Sequence, residues 1–223
     1  MANLLTISRL EKRFGDRRLL DVAELKFESG VLHLLVGDNG VGKTTLLKCL
    51  AGLEKADAIA LALNGHTYGG GTYPASLRRE IVYVHQHPYL FSTSIDANIA
   101  YGLNIREIAV LEQEKAVQEA IHWAGLEGVR KVSPKRLSGG EKQRVALARA
   151  MVLKPVVMLI DEPTANLDAT ARDQVKALLA SMRAEGQIVL IATHDPAMLA
   201  LPGVAVWDLS AGKLARRIEA RAI

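Results

Sequence analysis

The chain carries a single cysteine in 223 residues. One thiol excludes an internal disulfide and, with no clustered partners, a zinc site. Cys49 stands among Leu46, Leu47 and Leu50, which points to a buried structural thiol. Long apolar runs are missing too. No stretch approaches the length of about eighteen apolar residues that a membrane-spanning helix requires, and the opening MANLLTISRLEKRF has no signal-peptide core. Both absences predict a cytosolic chain that does not itself span a membrane. There is no repeat, no low-complexity tract and no block of one charge, so order is expected everywhere except at the termini. The excess of basic residues is only +4, which solubility alone accounts for.

What is present is enough to build a substantial core. At 49% hydrophobic and 23% charged residues, the composition is that of a globular protein, and 223 residues suit one domain with a subdomain. Short strands are expected in NLLTISRL and RRLLDVAELKFES. A turn at Gly30 and the apolar run VLHLLVG follow, the latter leading into a glycine loop. TLLKCLAGL has helical spacing, AIALALNG alternates like a strand ending in an Asn-Gly turn, and EIVYVHQ reads as a short strand. From Pro88 to Lys135 the pattern turns helical. Val117, Ala120, Ile121 and Ala124 fall on one helical face, predicting a small helical subdomain over about 88–137 within a single domain of 1–223. A helix from SGGE to about Leu153 comes next. The strand VVMLI, a helix bearing Val175, Leu178, Leu179 and Met182, the strand IVLIAT and a hairpin in VAVWDLSAGKLARRI complete the chain. The strand-helix-strand rhythm predicts an α/β fold with a parallel sheet.

Five segments carry chemistry. In GDNGVGKTT, Gly37, Gly42, Lys43 and Thr44 match G-x-x-x-x-G-K-[ST] between a strand and a helix, the context of a phosphate cradle. The whole loop is expected to contact nucleotide: Gly37, Asp38, Asn39, Gly40, Val41, Gly42, Lys43, Thr44 and Thr45. Gly40 and Gly42 let backbone amides turn inward, Lys43 bridges the β- and γ-phosphates, and the Thr44 hydroxyl ligates Mg²⁺. Without nucleotide the Lys43 amine is expected in solvent. In VVMLIDEP, Asp161 and Glu162 end a buried strand, where ligands of open α/β sheets bind. Asp161 suits the Mg²⁺ shell through water. Glu162, with no fixed positive partner apparent in the sequence, suits the general base that activates water. His194 in IATHD also ends a buried strand and could reach the γ-phosphate, while Gln86 at the end of IVYVHQ could contact Mg²⁺ or the water. The remaining segment, RLSGGEKQRVALARA, opens a second helix with glycines. A helix N-terminus attracts anions, so two such ends suggest two grips on phosphate.

In this order these residues resemble the ATP-binding cassette family, and LSGGEKQRVALARA makes the resemblance specific. It covers essentially the whole chain: RFG, the glycine loop, Gln86, LSGGE, LIDEP, ANLD and His194. The resemblance implies a P-loop ATPase core with an N-terminal antiparallel β-subdomain and a small α-helical subdomain. It implies ATP and Mg²⁺ as cofactors, with Ser138, Gly139, Gly140 and Glu141 facing the γ-phosphate held by a second copy of the chain. Asp168 would then touch the opposite protomer. Phe14 would stack on adenine, the alternative being a core strand residue. One departure is the loop GDNGVGKTT, where the family often has Ser or Pro beside the glycines; backbone amides make the phosphate contacts, so little effect is expected.

A cassette ATPase can serve a membrane transporter or act on nucleic acid or a regulatory partner. The short interval between loop and signature argues against coiled-coil DNA-repair members, and the presence of one cassette argues against ribosome-acting ones. The resemblance therefore implies an import subunit at the cytoplasmic face of the membrane. Its partners would be an integral permease and an extracytoplasmic solute-binding protein, with no nucleic acid. HPYLFSTSIDANIAYGLNIR resembles the importer surface that receives a permease helix. Tyr89, Leu90, Phe91 and Ile95 fit either that groove or an internal core. The wording YVHQHPYLF is similar to oxyanion systems of the tungstate type, with phosphate and polar amino-acid systems as rivals.

Overall fold

A computed structural model describes residues 2–69 and 73–217. In chain order the elements are β1 (Leu4–Phe14), β2 (Arg17–Val22), β3 (Leu25–Glu28), β4 (Leu32–Val36), α1 (Lys43–Leu50), β5 (Ala58–Leu63), β6 (His66–Gly69), α2 (Ala75–Glu80) and β7 (Ile81–Val84). Then follow α3 (Ile95–Ile105), α4 (Val110–Trp123), α5 (Gly139–Met151), β8 (Val157–Asp161), α6 (Ala169–Ala184), β9 (Ile188–Ala192), α7 (Pro196–Leu199), β10 (Val204–Ser210) and β11 (Lys213–Arg216). Two compact units result, one of residues 1–83, 156–162 and 182–223, the other of 84–155 and 163–181. The fold is α/β, with a P-loop core, an antiparallel β-sheet and a set of helices. None of the described helices is long and apolar enough to cross a membrane.

The first unit holds two sheets. The antiparallel one is ordered β2-β1-β5-β6, with β3 also paired to β1. Strand β1 is long enough to serve two partners, meeting β3 over Leu4–Ile7 and β2 over Leu10–Phe14. RRLLDVAELKFES forms two strands, β2 and β3, because the chain turns at Glu24 with φ 56°. The second sheet is ordered β11-β10-β4-β9-β8-β7, and β10, β4, β9 and β8 run parallel. Every residue of β4, β8 and β9 is buried, as an inner parallel strand demands. Both sheets share one core: Leu5, Ile7, Leu10 and Phe27 from the first, Leu35, Leu159 and Leu190 from the second, and Leu46, Leu47 and Leu50 from α1. Cys49 lies in that core, and burial pushes its thiol pKa up to about 11, so it is unreactive. The final hairpin turns at Ala211 and Gly212, both at positive φ as a tight turn joining twisted strands requires. The end of the hairpin expected at Ile218 lies outside the described residues.

The second unit is helical. Helices α3, α4 and α5 pack on one another, and the loop before α3 is tied to it by Asn98. This fully buried amide bonds both the amide and the carbonyl of Phe91. Arg130 adds a two-oxygen clasp on Asp96 of α3. Helix α5 ends at Met151, two residues before the expected Leu153. The cause is Pro155, which bars Lys154 from the helical region, and Lys154 takes φ 48°.

Candidate functional site

Strands β4, β8 and β9 are adjacent and parallel, so the segments after them leave the sheet at one edge. That edge gathers the glycine loop after β4, Glu162 after β8 and His194 after β9. Gly40 and Gly42 take φ 77° and 117°, and Gly42 is the N-cap of α1, with no side chain bonded to the first turn and no acidic residue in it. The first amides of α1 are thus left for an outside acceptor, which is what an anion cradle requires. Lys43 departs from expectation. Only 7% exposed, it donates to the carbonyls of Gly37 at 2.7 Å and Asp38 at 3.1 Å. An ammonium drawn under its own loop satisfies its charge on backbone oxygens instead of water, and a phosphate must compete with those two acceptors.

Thr44, exposed in the first turn of α1, donates its hydroxyl to Asp161 Oδ1 at 3.0 Å, joining residues that are 117 apart in the chain. The other oxygen, Oδ2, accepts from the Tyr83 hydroxyl at 2.9 Å. Burial, and then the neighbouring Asp161 carboxylate, push the Tyr83 pKa well above its ordinary value, so the phenol stays protonated and donates. The set is a hydroxyl and a carboxylate, hard oxygens of the kind Mg²⁺ takes while keeping waters and phosphate oxygens for the rest of its shell. Among the described residues there is no cluster of three His, Cys, Asp or Glu side chains able to hold a metal ion. The Thr44 hydroxyl and the Asp161 carboxylate fit an ion that keeps part of its shell for water and phosphate oxygens.

Glu162 has a partner that its sequence neighbours do not reveal. His194 Nδ1 lies 2.8 Å from its Oε2, and the His194 amide also donates to that oxygen at 3.4 Å. Two nominated catalytic groups thus meet across adjacent strands. The pair is an ion pair when the imidazole is protonated and a hydrogen bond otherwise. Glu162 itself stands at φ 43°, left-handed backbone that a glutamate rarely adopts, held by its amide bond to the Ala192 carbonyl at 2.9 Å. Phe14, at the end of β1, is 54% exposed and so is not a core residue; the Lys12 ammonium sits 4.6 Å from its ring centre.

The remaining nominees lie in the second unit. Ser138 caps α5: its hydroxyl accepts from the Glu141 amide at 3.3 Å, and Glu141 Oε2 accepts from the Ser138 amide at 2.7 Å, a complete capping box. Gly140 is buried, and a Cβ there would stand 2.4 Å from that of Ala171, so close approach to α6 demands glycine. Gly139 is exposed, and its Cβ would meet nothing nearer than Leu167 at 3.6 Å. Packing within the chain leaves room for a methyl there. Asp168 accepts from the Ala171 amide at 2.8 Å at the start of α6. Gln86 is half-buried just beyond β7. Tyr89 is 71% exposed and Tyr101 46%, and the Phe91 ring stands between them. Ile95 is fully buried, so of the four residues weighed for a groove it belongs to the core.

Sequence reasoning missed Tyr83, whose contact with Asp161 joins neighbouring strands of one sheet. Its only local signal is a tyrosine within an apolar strand, since a buried phenol generally finds an acceptor.

The model of a family described as ABC transporter matches residues 20–165. A probable sulfate/thiosulfate import ATP-binding protein of Chlorella vulgaris is 40% identical over 191 residues, 85% of this chain and 80% of that protein. The tungstate uptake system ATP-binding protein of Peptoclostridium acidaminophilum is 37% identical over 192 residues, 86% of this chain and 87% of that one. Other sulfate/thiosulfate relatives are longer, and the chain spans 53% to 56% of their length. Among solved structures, cbiO1 of Clostridium perfringens, part of the ABC transporter complex cbiONQ, superposes with a TM-score of 0.83 at 29% identity, over 95% of this chain and 86% of that one. The Chlorella and Peptoclostridium relatives are named as ATP-binding proteins of import or uptake systems and cbiO1 as part of an ABC transporter complex; this chain is an ATP-binding, ATP-hydrolysing subunit of a multi-subunit membrane transporter. By family model, relatives and fold together, it belongs to the ABC transporter family.

Proposed function

We propose that the chain drives import, hydrolysing Mg-ATP at the interface of a homodimer in which each glycine loop is closed by the partner's α5. The observation that carries the split site is Gly139. It is exposed at a helix N-terminus where the Ser138 and Glu141 amides are already capped, and nothing among the described residues requires it to be glycine. A group approaching from outside would require it. The amides of Gly139 and Gly140, which have no acceptor within the helix, then point at the γ-phosphate. Asp168, exposed at the start of α6, faces the partner.

On the loop side, the first-turn amides of α1 take the phosphates and Lys43 turns from its backbone carbonyls to the β- and γ-phosphates. Phe14 stacks on adenine. Mg²⁺ bound with the nucleotide would supply neutralisation of phosphate charge. Thr44 would hold it directly, with Asp161 reaching it directly or through water. Glu162 keeps Oε2 on His194 and offers Oε1 to the attacking water as general base. With Nδ1 given to Glu162, a protonated His194 turns its Nε2–H toward the γ-phosphate and senses its presence.

The surface around Tyr89, Phe91 and Tyr101 receives a helix of an integral permease, holding the subunit at the cytoplasmic face of the membrane. A solute-binding protein delivers the cargo. The names of the relatives support a tetrahedral oxyanion, sulfate or tungstate, as that cargo. No nucleic acid is needed.

The test is the state of association. Glu162→Gln, which keeps the shape and loses the base, should slow hydrolysis by about 10²–10⁴-fold and sediment as a dimer with Mg-ATP and a monomer without it. Adding Ser138→Arg should abolish that dimer. A Glu162→Gln protein that stays monomeric at saturating Mg-ATP rules out the split site.

A further inference from the structure

Asp161 is 4% exposed, and among the described residues its oxygens are held by two hydroxyls, Thr44 on Oδ1 and Tyr83 on Oδ2. Thr44 stands at the start of α1 and must release its proton's acceptor, or share it, when its oxygen is needed elsewhere. Tyr83 is differently placed. It lies on β7, beside β8 in the same sheet, so its phenol is fixed by strand pairing and not by the loop. The ring is partly buried.

We propose that Tyr83 is a positioning residue for ATP hydrolysis, clamping Asp161 Oδ2 so that Oδ1 is presented to Thr44 and the Mg²⁺ shell. This rests on the placement of Mg²⁺ at Thr44 and Asp161. A free carboxylate can rotate about its Cβ–Cγ bond and exchange its oxygens. One whose far oxygen is held at 2.9 Å by a rigid donor presents the near oxygen in one orientation. The physical expectation follows the general behaviour of groups that orient metal ligands, whose loss commonly weakens metal affinity by about 10–100-fold. Tyr83 touches neither nucleotide nor ion in this account, so its removal should act on the metal-dependent part of binding alone.

The contrast within the unit is Tyr73, whose hydroxyl donates to the Leu50 carbonyl at 2.5 Å and meets no carboxylate. Its loss removes a phenolic hydrogen bond of similar burial without touching Asp161.

The experiment measures ATP binding by titration calorimetry across a Mg²⁺ series and in EDTA, and Mn²⁺ uptake by electron paramagnetic resonance in the presence of ATP. Tyr83→Phe should raise the Mg²⁺ concentration needed for tight ATP binding by about tenfold and weaken Mn²⁺ uptake in parallel, with affinity in EDTA unchanged. Tyr83→Met, which also fills an apolar strand position but has no donor, should repeat the loss. Tyr73→Phe should leave the Mg²⁺ series unchanged. If Asp161→Asn shifts the Mg²⁺ series while neither Tyr83 variant does, the clamp is overturned and the metal placement stands. If neither Asp161→Asn nor Thr44→Ala shifts it, the metal placement itself is wrong and the clamp falls with it.

Discussion

Helices α1 and α5 both open on glycines and differ in how their first turns are satisfied. At α1 the N-cap is Gly42 with no side chain bonded to the turn; at α5, Ser138 and Glu141 close on each other in a capping box. An uncapped N-terminus leaves its amides and the positive end of its dipole for an anion. A capped one is complete without a ligand and offers only the amides between the two box members. The difference separates two uses of one motif. On the proposed function, helix α1 would receive phosphate directly, and α5 is a finished helix whose exposed tip would meet phosphate brought by a partner.

The largest effect should come from breaking the α1 side. Lys43→Ala removes a charged donor to phosphate, and ATP affinity measured by calorimetry should fall by about 10²-fold, as the loss of a charged hydrogen bond or two implies. Because the buried ammonium also satisfies the carbonyls of Gly37 and Asp38, the melting temperature should fall by several degrees as well. Loss of binding with an unchanged melting temperature would mean that the lysine is held to the loop less firmly than the two bonds indicate.

On the α5 side the two glycines should come apart. Gly140→Ala places a methyl against Ala171 and should destabilise by about 1–3 kcal/mol, the usual cost of overpacking. Gly139→Ala finds room and should leave the melting curve within a degree or two, while ATPase turnover falls because a partner's phosphate can no longer approach closely. Equal melting curves for the two variants, or full turnover in Gly139→Ala, would remove the distinction between packing and contact at this tip.

The smallest effect belongs to the cap. Ser138→Ala should cost about 1 kcal/mol, seen as faster hydrogen exchange at the Glu141 amide. ATP should slow exchange at the first-turn amides of α1 and leave the Glu141 amide of the unmodified protein nearly as it was. Strong protection of that amide by ATP would mean that the box opens on binding and that the two helix ends are alike.

Much of this arrangement was legible in the chain because its signals are local. The apolar runs of β4, β8 and β9 are continuous since both faces of those strands are covered, and the glycine loop and LSGGE occupy consecutive residues. What escaped had no local signature. Strand β6 is largely exposed and shows no alternation, and α2 buries only Leu77, so neither has a periodic face to read. Strand β1 continues past Leu10 through charged residues that pairing with β2 recruits. The turn at Glu24 uses a left-handed glutamate where glycine would have announced it. In the site, residue types were readable and their partners were not. His194 reaches Glu162 from 32 residues away and Tyr83 reaches Asp161 from 78, contacts made by strand adjacency. Lys43 was misjudged for a related reason: its acceptors are carbonyls, which every sequence has.

The left-handed backbone of Glu162 sets fold and reaction at odds. A glutamate at φ 43° holds a conformation that costs about 1–3 kcal/mol and that glycine adopts freely. Selection for heat resistance alone should therefore drift toward Glu162→Gly, which relieves the backbone and, on the proposed function, discards the base in one step. A stabilised form of this subunit is worth having only if its turnover is screened alongside its melting curve, since at this position durability and activity are alternatives.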